Sequence, residues 1–174
     1  MEKKFGSLRE YQEGLLRRIN AQRATGPTSS YLALEIGGES WIVRLADLSE
    51  VMPVPALTLV PNTRPWFLGI TNIRGNLYGV VDLAAFMGLT PVVTGTETRL
   101  VLIHPKYRVN TGFLVTRSLG LRNLQSQGVP AATDRERMSG EYTENDGKTW
   151  KELNIRRLVT TPAFLEIAGQ VAAA

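Results

Sequence analysis

Cysteine is absent from this 174-residue chain, and histidine occurs once, at His104. The first absence excludes disulfides, thiolate metal sites and cysteine nucleophiles, and it fits a reducing compartment. No apolar run approaches the roughly 20 residues that a membrane-spanning helix needs. The leading MEKKFGSLREYQEG is charged and lacks the apolar centre of a secretory signal, so direct membrane insertion is not expected. Charge of one sign is not concentrated either. Twenty Lys and Arg stand among sixteen Asp and Glu, a formal +4, with no basic block longer than a pair. That pattern describes a solvated surface and not a nucleic-acid-binding one. Aromatic residues are 7% of the chain and dispersed: Trp41, Trp66, Tyr78, Tyr107 and Trp150 form no stripe on which bases could stack.

The groups that usually carry catalysis are missing as well. His104 ends an apolar run directly before Pro105, with no second histidine to share a metal, and reads as a turn residue. No Gly-x-Ser-x-Gly elbow nominates a nucleophile, and no Walker-type glycine loop precedes a Lys-Ser/Thr pair. Glu144-Asn145-Asp146-Gly147 has a faint likeness to a calcium loop. However, Tyr142 stands where its first acidic ligand belongs, and Leu153 where its closing glutamate belongs. The other acids are scattered, so no carboxylate pair stands out for acid–base work. The expectation is no catalytic residue, no metal, no cofactor and no enzyme.

What is present is periodicity. Phe5, Leu8, Tyr11, Leu15 and Ile19 recur at helical spacing, although Gly14 weakens such a helix by about 1 kcal/mol. Thr25–Ser30, with Gly26-Pro27, reads as a linker, which makes residues 1–30 an N-terminal helix and its tether. From Tyr31 the period becomes two. Leu32, Leu34 and Ile36 run up to Gly37-Gly38, and Trp41, Val43 and Leu45 run back. Met52–Pro65 holds four prolines and should lie extended, with Leu57, Leu59 and Val60 pinned on the body. Two strands then flank Asn72, Arg74 and Gly75, and Asp82 caps a short helix that Gly88 ends. The second half repeats the order: Leu100–Ile103, a turn from Pro105, Gly112–Val115, and Trp150–Ile155 leading into a final helix. Gln125–Lys148 fits no strand pattern and reads as a long loop.

With 43% hydrophobic residues, the chain can form two small packed subdomains. The expected fold class is mainly β: two small five-stranded β-barrels of the SH3/OB-like kind, with the N-terminal helix and short helices. The first barrel would span about 31–90 and the second about 91–160, with a C-terminal helical segment completing a domain over 31–168. Small barrels also bind nucleic acid, so an OB-like nucleic-acid-binding domain is the alternative reading.

The run Leu68–Leu83, LGITNIRGNLYGVVDL, resembles the signature of CheW-type coupling proteins. The likeness extends through Tyr31–Met52 and more faintly through Leu100–Leu158. The ending Phe164-Leu165-Glu166-Ile167-Ala168 resembles the branch of that family serving type IV pili and twitching motility. What the resemblance implies is a non-catalytic adaptor between methyl-accepting chemoreceptors and a CheA-type histidine kinase, cytoplasmic and recruited to inner-membrane receptor arrays. Its implied partners are the kinase's regulatory domain and the receptor's cytoplasmic tip. The partner-contacting positions carried over are Leu48, Glu50, Gly69, Asn72, Arg74 and Gly75. The chain departs from the family pattern at Gly79, where Pro is usual, and at Trp41, where Tyr or Phe is commoner.

Overall fold

The computed structural model describes residues 29–124, 138–144 and 147–169. The expected N-terminal helix lies outside them. Alternating apolar residues form β1 (Ser29–Ile36) and β2 (Glu39–Arg44), joined through Gly37 and Gly38, whose φ of 58° and 83° suit a tight two-residue turn. A 3-10 turn, Leu45–Asp47, leads to β3 (Leu48–Pro53). The signature hairpin is β4 (Phe67–Ile73) and β5 (Asn76–Asp82), followed by the helix α1 (Leu83–Phe86). Asp82 caps α1 by accepting from the Ala85 N–H at 3.0 Å, and its other oxygen accepts from Val92 N–H at 2.9 Å. The chain continues as β6 (Arg99–Ile103), a 3-10 turn Pro105–Tyr107, β7 (Thr111–Val115) and β8 (Arg117–Leu124). It ends with β9 (Met138–Thr143), β10 (Thr149–Leu153) and the helices α2 (Ile155–Thr160) and α3 (Pro162–Leu165).

The strands form two five-stranded sheets, ordered β8-β1-β2-β10-β9 and β3-β6-β7-β5-β4. Each contains one parallel pair, β2 with β10 and β5 with β7, in otherwise antiparallel pairing. The repeat expected from the sequence is present, but its halves have exchanged hairpins. β1–β2 joins β8–β10 from the second half, while β6–β7 joins β3–β5 from the first. The expected barrels over 31–90 and 91–160 are corrected accordingly. The cause is the length of the links. Thr116 alone separates β7 from β8, too short for the two-residue loop of a hairpin, so the chain crosses to the other sheet. A second correction concerns the expected loop 125–148. Its residues 138–143 form β9 on β10, an edge strand in which Tyr142 packs inward, so its sequence carries little apolar alternation.

Both faces of each sheet are used. Leu32, Leu34, Ile36, Trp41 and Val43 meet Val101, Ile103, Phe113 and Val115 in a central core shared by the sheets. Tyr31, Ala33, Ile42 and Trp150 fill one outer core, and Ile73, Val80, Leu100 and Leu102 fill the other. Phe164 of α3 enters the shared core among Trp66, Phe86 and Phe113, with ring centroids 5.4–6.1 Å apart. Such offset or edge contacts add to simple burial. The chain then clips onto the segment before β4, where Thr63 pairs with Ala168 and Arg64 meets Glu166 at 3.4 Å.

The edges of the β3–β7 sheet come together. The chain beyond β3 returns to β4 through a Thr58–Ile70 bridge, and Thr71 donates to Ala56 O at 2.9 Å. Of the apolar residues expected to be pinned there, Leu57 packs on the outer core, whereas Leu59 is 81% exposed. The closure depends on Gly69. Its φ is 129°, and a Cβ there would meet Thr58 O at 2.3 Å. Gly69→Ala should therefore lower unfolding free energy by about 3 kcal/mol, combining strain with a backbone clash. Gly38→Ala, with φ 83° and open space around the added methyl, should cost only about 1–2 kcal/mol, both variants being measured by urea titration.

Candidate functional site

At one end of the β3–β7 sheet the chain reverses through Arg74 and Gly75, whose φ values are 52° and 87°. Positive φ at both central residues is the geometry that matches the twist of a two-residue hairpin. Asn72 holds it, its Oδ1 accepting from Gly75 N–H at 2.9 Å. Gly75 takes this conformation freely, but Arg74 pays about 1–2 kcal/mol for left-handed backbone. The Arg74 guanidinium is 76% exposed and donates to Glu50 Oε1 at 2.8 Å. Glu50 is on β3, the opposite edge of the same sheet, so the pair spans the closed edges. At this exposure it contributes at most about 1 kcal/mol to stability. Exposed apolar residues lie close by in the chain: Val51 follows Glu50, points to the other face of β3 and is 38% exposed, and Leu77, opposite Asn72, is 60% exposed.

Of the six positions carried over from the resemblance, the structure brings Glu50, Asn72, Arg74 and Gly75 together on this rim. Leu48 and Gly69 are not on it. Leu48 is 8% exposed in the shared core, beside a β-bulge that offsets it from Glu50, and Gly69 packs on the Thr58 carbonyl. Both shape the rim from behind. Gly79 also has a local reason. Its N–H donates to Asn110 O at 2.9 Å, which proline could not do, and Phe67 lies 3.0 Å from where a Cβ would be.

Several groups at the same end escaped the sequence reading. Asp47 accepts from Lys106 Nζ at 2.6 Å and from Tyr107 OH at 2.7 Å, tying the two 3-10 turns together. His104 is a turn residue as expected, its Nδ1 accepting from Lys106 N–H at 3.1 Å. Glu152, one of the acids that looked scattered, is 2% exposed. It accepts from Arg44 at 2.7 Å and from Tyr142 OH at 2.9 Å, and Tyr142 lies 3.2 Å from Tyr31 OH. This is a satisfied interior network, as a buried carboxylate requires. Trp41 and Trp150 are buried in the cores, which removes two aromatics from any base-stacking surface.

The fold is shared with a solved scaffolding protein. The solved structure of scaffolding protein TtCheW from Thermoanaerobacter tengcongensis superimposes with a TM-score of 0.68 at 17% identity, covering 79% of this chain and 96% of that one. The family model of the CheW-like domain matches residues 30–163, and the chain belongs to that family. Protein PilI of Pseudomonas aeruginosa is 28% identical over 107 residues, 60% of this chain and 58% of PilI. Chemotaxis protein CheV3 of Helicobacter pylori is 23% identical over 124 residues, which span 40% of that protein. Chemotaxis protein CheW of Thermotoga maritima is 23% identical over 131 residues, 74% of this chain and 85% of the relative. The resemblance drawn from the hairpin signature and from the pilus-type ending is upheld.

Tyr107 supplies a pH-dependent marker of this end of the molecule. Burial, with the hydrogen bond to Asp47 and its charge, pushes the phenol from 10.0 up to about 12, against the opposing charges of Arg156 and Arg44. A folded-state value above the unfolded one favours the protonated, folded form. Its contribution is complete below pH 10.0 and is lost as pH rises toward about 12. Tyr107→Phe should flatten the fall in thermal midpoint across that window while leaving the midpoint's pH dependence below pH 9 unchanged.

Proposed function

We propose that this protein is a non-catalytic adaptor that couples methyl-accepting chemoreceptors to a CheA-type histidine kinase in the control of type IV pilus twitching motility. The observation that carries the reading is the exposed Arg74–Glu50 pair, presented on a strained hairpin at the closed edge of a CheW-like domain. A solvated arginine of this kind adds little to the fold, so its value lies in what it meets. The identity to PilI supports the pilus assignment. Among the described residues no helix is long and apolar enough to cross a membrane. On this reading the protein works in the cytoplasm and reaches the inner membrane through receptor arrays.

Glu50, Asn72, Arg74 and Gly75 form the contact surface, with Leu48 and Gly69 holding it in place. The β3–β7 subdomain meets the kinase's regulatory domain, and the receptor tip lies along the junction between the subdomains. The exposed apolar neighbour Leu77 suits a contact in which a central charge is surrounded by groups that exclude water.

Arg74→Ala should stay folded, with its thermal midpoint nearly unchanged, because the pair it breaks is exposed. Titrated with the receptor tip and the kinase regulatory domain, separately and together, it should lose about 2–5 kcal/mol of binding. Glu50→Ala should weaken assembly in the same direction. Lys148→Ala, beside Trp150 in the other subdomain, should bind like wild type. Undiminished binding of Arg74→Ala to both partners would remove the rim from the interface.

A further inference from the structure

Arg74 is one of several basic residues at its end of the molecule. β3 begins, β6 ends, and β5 and β7 begin at this end, as the registers Leu48↔Ile103 and Gly79↔Thr111 require. The Arg74 turn and the 105–110 turn therefore share a rim. In the other sheet β2 and β10 run parallel, with Ile42 beside Glu152, so Arg44 and Arg156 emerge from that sheet on the same side. Lys106 joins the two sets, its Nζ reaching Ala46 O and Asp47 Oδ1, each at 2.6 Å.

The acids here are already engaged. Glu50 meets Arg74, Asp47 meets Lys106 and Tyr107, and Glu152 meets Arg44 and Tyr142. The Arg108 and Arg156 side chains are exposed and form no ion pair with any carboxylate among the described residues. Each also sits where local physics favours something else. Arg108 closes the 3-10 turn with φ 56°, left-handed like Arg74, where Gly or Asn would be less strained. Arg156 occupies the first turn of α2, the end that favours an acid, and no acid is there. Two arginines held in left-handed backbone, and a third set at the helix end that favours an acid, indicate that the side chain is what matters.

We infer that Arg74, Arg108 and Arg156, linked by Lys106, form a cationic docking strip crossing from one subdomain to the other, which takes a carboxylate-bearing protein segment. The inference rests on the adaptor reading and deepens it by naming the chemistry of the partner's contact. Guanidinium groups bind carboxylates through paired hydrogen bonds, which suits discrete acids on a folded partner. Asp47 and Glu50, paired within the strip, interrupt its positive charge, which suits separate carboxylates on a folded partner better than an unbroken phosphate backbone, and Tyr107 has its hydroxyl committed to Asp47. The occupant is accordingly a protein segment, with nucleic acid and anionic membrane as contrary outcomes.

The test uses the full chain with Arg108→Gly and Arg156→Ala combined, and Arg74→Ala alone. The probes are the receptor tip, the kinase regulatory domain, duplex DNA, and vesicles of phosphatidylserine and phosphatidylcholine. Arg108→Gly relieves a left-handed arginine, so the double variant should unfold no earlier than wild type on heating. It should bind at least one of the two protein probes about tenfold more weakly at low salt, with a shallower salt dependence than wild type. If the double variant binds both protein probes like wild type while Arg74→Ala does not, the strip is overturned and the adaptor reading stands. If wild type binds neither protein probe, both fall. If wild type captures DNA or vesicles as strongly as the protein probes, and the double variant loses all of them alike, the strip is an unselective cationic surface and the inference is overturned.

Discussion

The architecture depends on two short crossings between sheets: residues 45–47 between β2 and β3, and Thr116 between β7 and β8. Residues 45–47 wind into a 3-10 turn and Thr116 is a single residue, so neither link forms a hairpin and each half of the chain gives its first hairpin to the other sheet. The shared core follows from that exchange. Leu34 and Trp41 come from one sheet and Phe113 and Val115 from the other, and none can be buried unless both sheets are present. Phe164, arriving last in the chain, packs against Trp66 and Phe86 and ties the C-terminal segment to the β3–β7 side. The two subdomains are thus geometrically separate but energetically one unit, and cooperative unfolding is the expected behaviour.

A scaffold built this way can hold strained backbone at its rim. Left-handed Arg74 and Arg108 each cost on the order of 1–2 kcal/mol, which an isolated hairpin could not sustain. Here the Thr58–Ile70 bridge, the Asn72 turn bond and the Asp47 contacts to Lys106 and Tyr107 fix the surrounding chain. Of those polar contacts the Tyr107–Asp47 bond is half-buried, where a hydrogen bond is less diluted by water than at a free surface.

Much of this was legible in the sequence, for identifiable reasons. Period-two alternation placed β1 and β2 from Leu32, Leu34 and Val43, and short apolar runs bounded by a turn placed β6 and β7 at Leu100–Ile103 and Gly112–Val115. Gly37-Gly38 and Arg74-Gly75 marked tight turns, and Asp82 marked a cap, because those residues act locally. Pairing is not local. Nothing in the composition of β1 says that it will lie beside Leu121 and Arg122 of β8. β9 escaped because an edge strand needs few inward apolar residues, and Tyr142 supplies most of that contact. Leu48 was carried over from the resemblance as an apolar partner-contacting position beside Glu50, and it is 8% exposed. The bulge between them breaks the alternation that would have revealed its burial. Arg108 and Arg156 gave no signal, since their significance lies in φ and in strand direction.

On the adaptor reading, the Arg74–Glu50 pair illustrates how an exposed ion pair that adds little to the fold would come to matter at an interface. In the free protein the pair is screened by water, and its attraction is nearly cancelled by hydration and side-chain entropy. Docking a partner over the pair and Leu77 removes that water, and the same 2.8 Å contact then acts at a lower effective dielectric. Both charges must then be fully satisfied, by each other and by the partner, or the desolvation cost exceeds the gain. The rim is therefore inert until a surface of matching shape and charge closes over it. Because Asn72 and Gly75 already fix the turn, little ordering remains to be done at that moment. On that reading selectivity would arise from the penalty for a poor match, with the strained hairpin keeping the charge in position to impose it.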